Sequence, residues 1–206
     1  MYTTYTNRKT MVVVLDACEK YPVGYAIGDH ESPALIREAL RNAVQHTKEL
    51  FGNRYKPLQL QSDNYQKKVM VPFYEAMTKY YTPAALGNAK SKIVEPYFKH
   101  LNVEYCQKQA NWSGFGITAE KDNQPNLEVL NQNHKFIPDE ATVIAQLEAI
   151  IAQERAKKID AYRAAWERTE EARKMPFGIE EYLMLMGETT GRTNKIPGSG
   201  MFIEFM

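Results

Sequence analysis

Two β-branched runs, so close that they can hardly avoid pairing, constrain this chain most. "KTMVVVLDA" (Lys9–Ala17) and "YPVGYAIG" (Tyr21–Gly28) are joined by the short "CEKY" link. Runs of Val, Ile, Tyr and Thr bounded by turn residues read as strands, and a link this short makes them an antiparallel hairpin. The fold therefore starts from β-structure, and later elements of the chain must cover it.

The next stretch, "HESPALIREALRNAVQHTKELFG", is helical. Ser32 suits the N-cap, Pro33 the first helical position and Gly52 the stop, and Leu35, Ala39, Leu40, Ala43, Val44 and Leu50 supply an apolar stripe. Apolar and polar residues then alternate through "PLQLQSD", a short strand over Leu58–Ser62 with one buried face. A second helical pattern runs through Val69, Phe73, Met77 and Tyr80–Tyr81, and "YTPAAL" offers one more short strand. Ile93, Val94, Tyr97, Phe98 and Leu101 have helical spacing again. Proline is tolerated in a first turn but breaks a helix interior, so Pro96 puts the helix start, or a kink, near Glu95. From Cys106 the chain becomes rich in Asn, Gln, Gly and Lys and reads as an extended, poorly packed connector. Pro138–Asp139 opens a long helical run ending before Pro176, roughly 50 Å if continuous at about 1.5 Å per residue. Glu154/Lys158 and Glu170/Lys174 are supportive i,i+4 pairs on it. The order β, β, α, β, α, short β, α predicts an α/β layer around a mixed sheet.

Composition sets few limits on function. The 206 residues carry 26 Lys+Arg against 25 Asp+Glu, and a basic stripe cancelled by acids elsewhere still leaves nucleic acid open as a partner. Cys18 and Cys106 have no metal-type spacing and read as reduced, buried thiols of an intracellular protein. No apolar run approaches bilayer length and the start is no signal peptide, so a cytoplasmic chain without a membrane partner is expected.

Asp63 and Glu95 are the acids placed on rigid elements. Between them lie 95 − 63 − 1 = 31 residues, enough for a helix, a short strand and the start of a second helix, a path that returns Glu95 beside the tip of the Asp63 strand. Two carboxylates a few ångströms apart bridge a pair of hard divalent cations, which stabilise the attacking and leaving oxygens of phosphoryl transfer. Lys92 and Lys99, at −3 and +4 from Glu95, share its helical face and would lead DNA phosphates to the acids. The plainer alternative is that Asp63 and Asn64 cap the next helix while Glu95 and Lys99 form an ordinary exposed pair.

"VVVLDACEKYPVGYAIG", "LQLQSDN" and "GNAKSKIVEPYFKHLN" together resemble the retroviral-type integrase catalytic core of DDE transposases, the third segment resembling the Asn-Ala-x-x-Lys-x-x-Glu-x-Phe pattern around that family's catalytic Glu. "NWSGFGITA" and the long helix after it resemble the later portion of phage Mu-type bacterial transposases. The resemblance spans nearly the whole chain. It implies an RNase H-like mixed sheet flanked by helices, with Asp63 matching the second of the family's three catalytic, metal-binding acids and Glu95 the third. It also implies Mg²⁺ or Mn²⁺ as cofactor, Asn64, Lys90, Lys92 and Lys99 as DNA contacts, and homo-oligomers on element ends and target DNA, associated with the nucleoid when bound. The Asp63–Glu95 spacing is slightly shorter than the commonest pattern, and Pro96 stands where the family has a basic residue.

The family's first acid lies on a first strand ahead of the two that this chain resembles. "MYTTYT" matches at most the end of that strand and holds no acid. Asp16, 63 − 16 = 47 positions before Asp63, is the only tempting substitute, yet the matching aspartate of the family ends the second strand and is no metal ligand. The first acid is therefore expected upstream of Met1, leaving a truncated and catalytically crippled core over 1–106. An extended linker (107–137), the long helix (138–175) and a truncated start of a β-barrel-like region (176–206) would come after it. Two functions stay open: a transposase core for metal-dependent phosphodiester hydrolysis and strand transfer, or a non-catalytic module binding DNA or a transposase partner; a different RNase H-like nuclease is a third.

Among the remaining features, His30, His46, His100 and His134 read as surface or linker residues. Tyr74, Tyr80, Tyr81, Tyr97 and Phe98 read as core, and Trp112 and Phe115 either pin the linker to the core or dock a partner. Arg155, Lys157, Lys158 and Arg163 would let the long helix contact DNA or a second protomer, although its mixed charges equally fit a solvated spacer.

Overall fold

The computed structural model describes residues 2–4, 7–62, 65–83, 93–112 and 137–187. The protein is α/β, with five α-helices, short two-stranded ladders and no closed barrel among the described residues.

Strands β1 (Tyr2–Thr4) and β2 (Asn7–Arg8) form a small antiparallel pair that leads into the expected hairpin of β3 (Thr10–Leu15) and β4 (Pro22–Gly28), in register from Thr10↔Gly28 through Val14↔Gly24. Side chains of β3 alternate between faces. Val12 and Val14 pack toward helix α1 (Pro33–Phe51), and Met11, Val13 and Leu15 pack toward helices α3 (Val94–Glu104) and α4 (Glu140–Arg168). The hairpin is thus the middle of three layers.

Helix α1 starts and stops where its capping residues dictate. Ser32 Oγ accepts from Leu35 N–H at 3.1 Å, Pro33 occupies the first turn, and Gly52 turns left-handed at φ 77° to return its N–H to the Lys48 carbonyl. Ile36, Leu40 and Val44 join Met70, Phe73, Tyr74 and Met77 of helix α2 (Lys67–Met77) in the largest buried cluster. Strand β6 (Gln59–Ser62) and strand β7 (Tyr80–Pro83) pair in parallel with α2 as their crossover, and their Leu60 and Tyr81 lean on that cluster. Tyr80 and Tyr81 thus belong to a strand and not to the preceding helix, because Tyr80 N–H and Thr78 Oγ both bond to the Leu58 carbonyl and open the ladder to β6. Tyr80 and Phe98 are exposed, not core, while Tyr74 and Tyr97 are buried.

Three expectations about the second half change. Residues 106–112 are packed rather than extended: a 3-10 turn (Cys106–Lys108) is followed by Asn111, buried and bonded to Gln146 Oε1 at 3.0 Å, and Trp112 Nε1 donates to Asn102 at 2.6 Å. Residues 113–136, with Phe115 and His134, lie outside the described residues. Helix α4 opens on its Asp139 cap but ends at Arg168, short of Pro176. The chain must fold back there, because strand β8 (Met175–Pro176) pairs with strand β5 (Tyr55–Lys56) and Phe177 inserts into the α1/α2 cluster. The Glu170/Lys174 helix pair is replaced by Glu170–Arg173 and Glu171–Lys174. Finally, within 176–206, where the start of a barrel-like region was expected, residues 179–186 form helix α5 (Ile179–Met186), and 188–206 lie outside the described residues. The single mixed sheet is instead a set of strand pairs: β3 and β6 border the same cluster, but each ladders with one partner only among the described residues.

Candidate functional site

Strand β6 holds Leu60 inward and exposes Gln59 and Gln61, which carries the chain to Ser62 at its carboxyl end, where Ser62 Oγ and Tyr81 Oη lie 2.9 Å apart. Asp63 and Asn64 come next in the chain and lie outside the described residues. Beyond them Tyr65 Oη donates to the Glu31 carbonyl at 2.8 Å, and Gln66 occupies the N-cap position of α2 at φ 48°, without a side-chain cap. The capping alternative for Asp63 and Asn64 thus falls outside the described residues.

Glu95 sits exposed in the first turn of α3, where a carboxylate complements the positive end of the helix dipole. Pro96 fits beside it in the first turn, where residues need no intrahelical N–H bond. Lys99, a turn later, is also exposed. Lys90 and Lys92 lie outside the described residues, so of the expected set Glu95 and Lys99 alone are placed, on one helix. Among the described residues no group of three or more His, Cys, Asp or Glu could hold a metal. Asp16 is engaged in the hairpin turn, where its Oδ2 accepts Glu19 N–H at 2.7 Å. Asp29, in the loop before α1, pairs with Lys9, whose ammonium pulls its carboxyl below the usual range.

The basic residues of α4 have mostly internal work. Arg155 donates from Nε to the Pro22 carbonyl at 2.9 Å and from Nη2 to the Val23 carbonyl at 2.8 Å, locking the helix to β4. Lys158 bonds the Lys20 carbonyl at 3.0 Å; Lys157 bonds the Tyr105 hydroxyl at 2.6 Å yet stays exposed, as does Arg163. The helix is neither a solvated spacer nor a free basic face: Ile150 and Ile151 are buried against α3 and the hairpin, and Tyr162 stacks on Tyr21 at 4.3 Å between ring centres.

A cluster that sequence reasoning misses lies between α4 and α3. Glu154 is fully buried. Its Oε1 accepts from Tyr105 Oη at 2.5 Å and stands 3.2 Å from His100 Nε2; its Oε2 accepts from Lys158 Nζ at 2.6 Å. Burial pushes the Glu154 carboxyl up, but the bonds from Lys158, Tyr105 and His100 outweigh it and hold the group below its ordinary range. A signal for it exists in the sequence: residue 154 continues the stripe of Val143, Leu147, Ile150 and Ile151, so an acid falls on the buried face. Next to it, between the end of α3 and α4, a cleft of about 340 Å³ is lined by Glu104, Lys108, Gln109, Gln146, Gln153 and Lys157.

His46 and His100 also depart from their reading as plain surface residues. His46 Nε2 lies 2.8 Å from Tyr21 Oη, and burial, with Arg155 nearby, holds its imidazole below the usual value despite Glu49. Cys18 is exposed rather than buried, and Cys106 is half-buried with its thiol pushed up by burial; both are free. No helix among the described residues is long and apolar enough to cross a membrane. Comparison with protein families, with characterised proteins and with solved structures finds no match to this chain.

Proposed function

We propose that this chain is the RNase H-like core of a Mu-type DDE transposase, which cuts a phosphodiester at an element end and joins the freed 3′-OH to target DNA. The observation that carries the reading is the parallel pairing of β6 with β7, with Asp63 the next residue in the sequence after the last residue of β6. Open α/β sheets place their sites at such strand ends. Support also comes from the order hairpin, α1, β6, α2, β7, α3, with Glu95 in the first turn of the last helix. In this reading Asp63 and Glu95 bind Mg²⁺ or Mn²⁺; Asn64, Lys90, Lys92 and Lys99 contact DNA, and the protein acts as a homo-oligomer. Asp63 and Glu95 would hold the ions, which would supply Lewis-acid charge for the developing oxyanions of phosphoryl transfer. Lys99 stands a turn from Glu95 as a point charge for the phosphate backbone.

Mn²⁺ titration by calorimetry tests the site on the chain and on its Asp63→Asn and Glu95→Gln variants. Weak binding lost in both variants is expected; binding indifferent to both would remove the metal site. The second reading, a DNA- or partner-binding module without chemistry, is favoured by the engagement of Asp16 in the hairpin turn. An Asp-bearing strand fused ahead of β1 separates the two. Recovered strand transfer supports the core, and persistent inactivity with DNA binding retained supports the module.

A further inference from the structure

The buried Glu154 belongs to α4, yet two of its partners, His100 and Tyr105, belong to α3 and its C-terminal cap. Tyr105 is a relay: its hydroxyl donates to Glu154 and accepts from Lys157 Nζ at 2.6 Å. Lys158, four residues along α4, holds the other carboxylate oxygen. An eleven-residue helix without a side-chain N-cap is not stable alone in water, so α3 depends on what it docks against. Tyr97 and Leu101 supply apolar contact, which resists separation but tolerates sliding and rotation. Directional bonds to a buried carboxylate fix both, because a displaced helix would leave that charge without its partners. Glu95 lies five residues before His100 on the same helix, so the frame that fixes His100 and Tyr105 fixes the first turn as well.

We propose that Glu154 is a positioning residue: the carboxylate of α4 latches α3 and sets where its first turn presents Glu95. The latch stands on geometry alone, and its consequence for metal binding rests on the reading of Glu95 as a ligand. Hydrogen exchange read by mass spectrometry on the full chain tests the first part. Glu154→Leu keeps the apolar volume and removes the acceptor. Exchange over 94–104 should rise about tenfold or more relative to α1, the scale of one charge-assisted hydrogen bond. Glu154→Gln, which retains an acceptor, should recover most of the protection. Ile36→Ala, which weakens the α1/α2 cluster, should not single out α3. Exchange that stays unchanged in Glu154→Leu, or rises equally in α1 and α3, overturns the latch. Mn²⁺ titration of the same chains tests the second part: both Glu95→Gln and Glu154→Leu should weaken binding, the latter about threefold or more. If α3 loosens while neither substitution affects Mn²⁺, the latch stands and the metal reading of Glu95 falls. If Glu95→Gln weakens binding and Glu154→Leu does not, the positioning role is overturned.

Discussion

At Tyr97 one hydroxyl is at odds with its surroundings. The ring is buried among Leu101, Ile150 and Ile151, with the Lys158 ammonium 4.9 Å from its centre, yet its Oη has no hydrogen-bond partner among the described residues. Burial, with Glu154 nearby, drives the phenol far above its usual value. A buried hydroxyl without a partner costs about 1–3 kcal/mol, and the ring does not need it. Tyr97→Phe should therefore raise the chemical denaturation midpoint, by the equivalent of about 1 kcal/mol. A lower midpoint would mean that the hydroxyl is satisfied after all. Sequence pattern rightly puts Tyr97 in the core, because its spacing with Leu101 marks a buried face. The same spacing puts Glu154 on the buried stripe of α4 but does not show what meets it there, His100 and Tyr105, roughly fifty residues away in the chain. Local pattern locates a side chain on a face; which distant group meets it there is a tertiary fact.

Elements whose ends are fixed by their own residues are legible in the sequence, and those fixed by distant ladders are not. Ser32 and Gly52 bound α1 as expected because each satisfies helix-end groups locally. The end of α4 and the strand at Tyr80 escape such reasoning, since the first is set by β8 pairing with β5 and the second by β7 pairing with β6. The contact of β4 with α1 is tighter than either element announces. A Cβ built on Gly24 would stand 2.4 Å from the Ala39 carbonyl oxygen and 2.5 Å from the Ala43 Cβ. Gly24 thus lets the strand sit directly on the helix, with Ala39 and Ala43 as its small counterparts. Gly24→Ala should lower stability by about 2–3 kcal/mol, since backbone atoms on both elements must shift. Urea denaturation measures this, and a loss below about 0.5 kcal/mol would show that the two layers slide apart freely.

At the scale of the whole molecule, α4 is the strap across the layers, and both of its joints are titratable. One joins it to the hairpin and α1, where Tyr162 stacks on Tyr21 and Tyr21 bonds His46; the other is Glu154 against α3. The polar run before this helix suggests a segment apart from the core, whereas its buried stripe packs against α3 and the hairpin. Acid should loosen the two joints in turn. The folded state depresses the His46 pKa, so between that value and about 6.5 the unfolded chain binds more protons. The stability from a neutral His46 is complete above about pH 6.5 and is lost as pH falls below it. Glu154 is also depressed, so its contribution is complete above about pH 4.3 and disappears as pH falls through that value toward the folded one. Urea midpoints should therefore stay level from about pH 8 to about pH 7 and then fall in two steps. His46→Gln should erase the upper step and keep the lower, whereas Glu154→Gln should keep the upper and shrink the lower to what Asp29 and Asp139, also held low, contribute. An upper step that survives in His46→Gln would detach it from the Tyr21 joint. A lower step undiminished in Glu154→Gln would mean that other carboxylates, and not the strap, set the acid limit of the fold.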